Sequence, residues 1–272
     1  MNRRLTWFNA TSLTLGFAFL YLPMLILIIF SFNESKLVTV WAGFSPKWYG
    51  ELLRNEQFLD AAWVTLKVAA LSSTLATVLG TMAAYVLVRA GRFPGRTLFS
   101  GMIYAPLVMP EVITGLSLLL LFIAIGLDRG VFTIVLAHTT FAMCYVSVVV
   151  SSRLMTFDRS LEEAALDLGC TPFEAFRLVT LPIITPAVIS GWLLAFTLSL
   201  DDLVIASFAS GPSSTTLPIK IFSAVRLGVS PEINALSTIM IGIVAVGVIT
   251  ASLVSKRAIQ RQRREEVEGV RA

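Results

Sequence analysis

The sequence predicts an all-α membrane protein with six transmembrane helices and both termini in the cytoplasm, and three observations carry this prediction. Hydrophobic residues make up 56% of the 272-residue chain and charged residues 14%, with a mean hydropathy of +0.81. A soluble domain of this length rarely has such a composition. Six apolar stretches, near 13–32, 62–88, 98–125, 132–152, 187–209 and 233–254, are each long enough to cross about 30 Å of hydrocarbon, with membrane lipid around them. The third observation is the asymmetry of lysine and arginine. With a cytoplasmic N-terminus, the inner segments hold fourteen of the 21 basic residues and the outer segments seven, which is the bias that orients membrane proteins. The net charge of +4 is then a topological signal, drawn mostly from the tail at 256–272. Nucleic acid is not needed to explain it.

The first stretch follows Arg3 and Arg4 and contains Pro23. It runs for about twenty residues without a small-residue cleavage site, so it is expected to remain as a span and not to be removed as a signal peptide. In the loop after it, Trp41, Trp48 and Tyr49 accompany Phe44 and Pro46, which suits an aromatic belt at the outer interface. Gly91-Arg92-Phe93-Pro94-Gly95-Arg96-Thr97, between the second and third stretches, lacks the spacing and lysine of a phosphate-binding loop. It reads as a tight basic turn, and the chain is not expected to hydrolyse ATP itself. Pro106 and Pro110 interrupt the third stretch just before Glu111. Each frees a carbonyl and kinks the helix, and broken helices are tolerated at membrane depth where they line a cavity. His138, the single histidine, lies in the fourth stretch and is expected to hydrogen-bond a neighbouring helix. Neither its surroundings nor the spacing of Cys144 and Cys170 suggests a metal or cofactor site.

Three acids fall inside apolar stretches: Glu111, Asp201 and Asp202. A charge in hydrocarbon requires a partner, a cavity or a route. Counted at 1.5 Å per residue from the cytoplasmic ends of their stretches, Glu111 and Asp201 both come out at about 20 Å, on one level. Asp201 and Asp202 are about 100° apart on a helix, so one can face a pathway while the other bonds across a helix contact. An acidic level of this kind suits a route for a cationic solute. The structural alternative is pairing with helix ends or with a lysine of another subunit. Further on, 217–226 reads as a short amphipathic segment at the outer surface, too short to span.

The densest information lies at 160–182. Ser160-Leu161-Glu162-Glu163 reads as a capping box that starts a helix at Ser160. Gly169 can supply the left-handed cap that ends it after about two turns. Thr171-Pro172-Phe173-Glu174 opens a second helix, with threonine as N-cap, proline at the first helical position and glutamate at N3. Leu181-Pro182 then leads back into the membrane. Two helices this short are marginal alone in water and need a surface to pack on. Ala164 and Ala165 give the first one a low-relief patch that another protein can approach. Packing on the chain's own membrane domain is the plainer alternative.

Glu162-Glu163-Ala164-Ala165, Gly169 and the later Leu181-Pro182 resemble the EAA loop of bacterial ABC importer permeases. Ser31-Phe32-Asn33 with Trp41-Ala42-Gly43-Phe44, the run 105–115 around Pro106, Pro110 and Glu111, and 198–205 around Asp201 and Asp202 are similar to the spermidine/putrescine permeases, over nearly the whole chain. The resemblance implies a type I ABC importer permease fold in the bacterial inner membrane. It places a permease domain at about 62–255, a first helix and outer loop at 1–61, and a basic cytoplasmic tail at 256–272. It implies a transport subunit, not an enzyme, that forms a polyamine pathway with a sibling permease. A pair of cytoplasmic ATP-binding subunits would hydrolyse ATP, and a periplasmic polyamine-binding protein would deliver the solute. The docking residues would be Glu162, Glu163, Ala164, Ala165 and Gly169, and the pathway residues Glu111, Asp201 and Asp202. Cys170 departs from the alanine usual there, but is small enough to leave docking intact. The alternatives are a permease for another small solute or a secondary transporter that needs no ATPase, and the latter leaves the capped hairpin unexplained.

Overall fold

A computed structural model describes residues 6–37, 40–227, 231–243, 245 and 246. Among them the regular structure is helical, apart from one bridge that pairs Asn33 with Phe44. In chain order the helices are α1 (Trp7–Ser31), α2 (Lys47–Arg54), α3 (Glu56–Arg89), α4 (Arg96–Val108), α5 (Glu111–Ala124), α6 (Val131–Thr156), α7 (Ser160–Asp167), α8 (Pro172–Ala175), α9 (Leu181–Asp201), α10 (Val204–Ala209) and α11 (Leu217–Leu227). Residues 231–243 are also helical. Arg3, Arg4, the end of the sixth expected span and the basic tail at 256–272 lie outside the described residues.

Four helices are long and apolar enough to cross a membrane: α1, α3, α6 and the continuous helix Pro172–Asp201. The third expected span is the pair α4 and α5, bent by 117° between Val108 and Glu111. Pro106 and Pro110 flank the bend, as the loss of two backbone donors requires. The fifth expected span is displaced. Its helix begins before the membrane, at Pro172, and ends at Asp201 instead of running on to 209. Asp202 is extended, and α10 starts afresh at Val204.

The chain divides into two compact units, one of residues 57–223 and one of Met1–Glu56 with Ala224–Ala272. In the first unit, α3, α6 and α9 pack through small residues. Val146 is fully buried, and a Cβ on Gly80 of α3 would stand 2.8 Å from its Cβ and 2.7 Å from the Met143 carbonyl. On the other side, a Cβ on Gly191 of α9 would lie 3.2 Å from Val146 Cγ1. Such close approach is how helices associate in lipid, where burial from water supplies no drive. A second contact joins α5 to α10: a Cβ on Gly115 of α5 would sit 2.6 Å from the Phe208 ring of α10. The basic turn is built as expected, with Gly91 and Gly95 at φ +64° and +83° and Arg96 Nη2 donating to the Leu87 carbonyl at 2.7 Å.

In the second unit, Asn33 organises the loop after α1. Its side chain accepts from Ala42 N–H at 2.9 Å and donates to the Val40 carbonyl at 2.7 Å, and its own carbonyl accepts from Trp48 Nε1 at 2.6 Å. Trp48 is thereby buried, so it does not belong to the aromatic belt expected there, whereas Trp41 and Phe44 stay exposed. An indole whose N–H finds a carbonyl partner can enter a core at little cost.

Candidate docking hairpin and membrane acids

The hairpin forms from α7, α8 and a π turn, and its caps differ in part from the sequence reading. The helix starts at Ser160 as expected, but the serine side chain does not cap it; Asp158, just ahead, accepts from Ser160 N–H through Oδ1 at 3.0 Å. That bond, and the Ser160 hydroxyl, hold the Asp158 carboxyl below its usual pKa. At the other end Gly169 has φ +91°. Gly169 N–H reaches the Leu166 carbonyl at 2.9 Å and Cys170 N–H reaches Ala165 at 3.1 Å, a complete Schellman motif. Thr171 and Glu174 form the expected box: Glu174 N–H donates to Thr171 Oγ1, and Glu174 Oε2 accepts from Thr171 N–H at 2.8 Å. The bonds that Thr171 N–H and the Thr171 hydroxyl donate to Oε2 hold the Glu174 carboxyl below its usual pKa.

No break separates this second helix from the membrane span. Residues Phe176–Thr180 form a π turn in which Leu181 N–H reaches back to Phe176. The wider turn accommodates Pro182, which has no N–H for the normal ladder.

Burial separates the docking candidates into two sets. Leu161, Ala164 and Leu168 are exposed, and Leu168 is 87% so; Glu163 is exposed too, its side chain 62% so and paired with Arg159 at 3.2 Å. Glu162 and Ala165 turn inward and are buried. Glu162 Oε2 lies 2.9 Å from Arg89 Nε at the end of α3, and Glu162 Oε1 accepts from Thr180 Oγ1 at 2.6 Å. Neither residue is part of the exposed patch read from the sequence, since Arg89 and Thr180 hold Glu162 inward and Ala165 is buried with it.

The membrane acids are likewise divided. Asp202 is the buried one: its Oδ1 accepts from Ala206 N–H at 2.8 Å, capping α10, and lies 3.5 Å from His138 Nε2. His138 Nδ1 is 2.7 Å from Ser199 Oγ, which accepts from Ser72 Oγ at 3.1 Å. His138 thus bonds a neighbouring helix, as its place in the fourth stretch suggests, and the chain Ser72–Ser199–His138–Asp202 joins α3, α9, α6 and the α9–α10 break. Sequence reading did not find this network, whose two serines carry no distinguishing pattern. Asp201, by contrast, is exposed at the last position of α9. Glu111 is exposed in the first turn of α5, where the helix dipole favours an acid. The bend before it removes the straight axis on which its depth was counted.

Residues 76–264 match the family described as "Binding-protein-dependent transport system inner membrane component". The chain is 61% identical over 265 residues to the putrescine transport system permease protein PotI of Escherichia coli K12, covering 93% of this chain and 94% of that one. It is 43% identical to the spermidine/putrescine transport system permease protein PotC of the same strain, covering 90% and 92%. Its fold is similar to a chain in the crystal structure of a bacterial ABC transporter involved in the import of the acidic polysaccharide alginate, with a TM-score of 0.71, 19% identity, and 91% and 94% coverage. The chain therefore belongs to the family of binding-protein-dependent transport system inner membrane components, on its spermidine/putrescine permease branch.

Proposed function

We propose that the chain is one of two sibling permeases of an ATP-driven importer in the bacterial cytoplasmic membrane, that it carries putrescine or a related polyamine, and that it docks a partner ATPase through the hairpin. The observation that carries the docking reading is the set of exposed residues on and just after α7. An acid, an alanine and two leucines stand exposed on a helix capped at both ends, at the foot of three spans. Exposed apolar patches of this kind on a water-facing element mark a binding surface. The putrescine relative supports the solute class, and a periplasmic partner suits the family and the alginate importer solved with its substrate-bound periplasmic protein. Exposed Glu111 and Asp201 are the acids available to a cationic solute, while Asp202 serves the α9–α10 break.

Co-purification of the ATP-binding subunits tests the docking reading. Glu163→Lys combined with Leu168→Asp is expected to strip them from the complex while the permeases stay in the membrane; unchanged retention overturns it. A reporter active only outside the cytoplasm should work when fused after Asn55 or Ser214 and fail after Gly95 or Asp167, and the reverse pattern would put the hairpin out of reach of ATP.

A further inference from the structure

We infer that Glu162 is a positioning residue that ties the docking hairpin to the spans, through which movement of the ATPase reaches the membrane. This rests on the docking reading, but concerns a buried residue of α7. One buried carboxylate holds elements that are far apart in sequence: Arg89 ends α3, and Thr180 stands in the π turn that leads into α9. Phe157, just past the end of α6, lies under the Arg89 guanidinium at 5.4 Å from its ring centroid. The cytoplasmic ends of three spans and the hairpin helix therefore meet at this single pair.

The chemistry at this point is unforgiving. Thr180 is fully buried, and both charged side chains are nearly so. Removing either partner from a buried pair leaves an uncompensated charge, which is far more costly than loss of a surface pair. Glu163 is such a surface pair, although it is the neighbour of Glu162. A small cavity of about 130 Å³ beside the pair, lined by Tyr85, Leu166 and Phe176 among others, gives the hairpin space to shift against α3 once the tether is altered.

The test uses the whole reconstituted complex and two readouts: ATP-binding subunits retained, and ATP hydrolysed per putrescine taken up. Glu162→Gln, which keeps the Thr180 bond and removes the charge, is expected to retain the subunits at the normal ratio and to raise ATP consumed per solute by about tenfold, within the usual range of coupling between sites. Thr180→Val removes a hydroxyl without changing the shape and is expected to move the ratio in the same direction. It also serves where Glu162→Gln lowers the membrane level of the protein. The exchanged pair Arg89→Glu with Glu162→Arg should recover part of the coupling that each single reversal loses. An unchanged ratio in Glu162→Gln and Thr180→Val overturns the inference, and so does loss of the ATP-binding subunits from them. Failure of the docking reading shows separately, as retention in the Glu163→Lys, Leu168→Asp variant.

Discussion

Asp202 Oδ1 receives the backbone N–H of Ala206 at 2.8 Å and faces His138 Nε2 at 3.5 Å. One carboxylate thus caps α10 and stands beside the histidine that ends a hydrogen-bonded chain from Ser72 on α3. Ser72 donates to Ser199 and the Ser199 hydroxyl meets Nδ1, whereas the buried Nε2 makes no hydrogen bond and has Asp202 as a neighbouring carboxylate.

The first prediction follows from this cap. Asp202→Ala should lower the thermal stability of the complex by more than Asp201→Ala. It removes a backbone N–H acceptor at the start of α10, worth about 1 kcal/mol, which Asp201 does not supply. Thermal unfolding of the purified complex measures this. Equal loss in the two variants would contradict this difference between the acids.

Gly169 supports a sharper test, because a Cβ there meets nothing within 4 Å and only its φ of +91° forbids a side chain. Gly169→Val should cost about 1–2 kcal/mol of backbone strain and redirect α8, cutting polyamine uptake while the protein stays in the membrane. Gly169→Asn should be tolerated far better, since asparagine adopts the left-handed region more readily. If the two variants take up solute equally, the cap is not what orients the hairpin.

The caps also set a pH dependence. Asp158 and Glu174 both have pKa values lowered in the fold by hydrogen bonds from the residues they cap. Their contribution is complete above the ordinary carboxylate values of 3.8 and 4.5 and is lost as the pH falls through the lower folded values. Hydrogen exchange over 158–176, corrected for intrinsic rate, should therefore show protection lost only below those values. Glu174→Gln together with Asp158→Asn should remove the transition.

The hairpin shows what a sequence discloses and what it withholds. Gly169 and the Thr171–Glu174 box were legible because each is decided within four residues by one backbone requirement. The split between Glu162 and Glu163 was not, since both are acids in a first turn and only the distant Arg89 and Thr180 draw one of them inward. The π turn has no composition of its own; Pro182 was visible, but it reads equally as a helix start. Likewise Trp48 looks like an interfacial residue until the Asn33 carbonyl is seen to take its N–H. Among the described residues, four long helices and the bent α4–α5 pair coincide with the first five apolar stretches, except where α9 begins before its stretch and stops at Asp201.

Glu111 and Asp201 carry the fourth prediction. Glu111→Gln and Asp201→Asn keep size and hydrogen-bonding capacity while removing charge. Attraction for an ammonium at 4 Å is about 1–4 kcal/mol between water and a protein surface, so each variant should slow polyamine uptake by about fivefold or more with the complex still assembled. Normal uptake in both would make these acids bystanders.

Uptake by proteoliposomes that hold this chain, its sibling permease, the ATP-binding subunits and the binding protein is the most direct test of the whole account. Labelled putrescine should accumulate only with hydrolysable ATP and the binding protein, and unlabelled putrescine should compete where an uncharged diol of the same length does not. Accumulation that persists without the ATP-binding subunits, or equal competition by the diol, would contradict an ATP-driven polyamine permease.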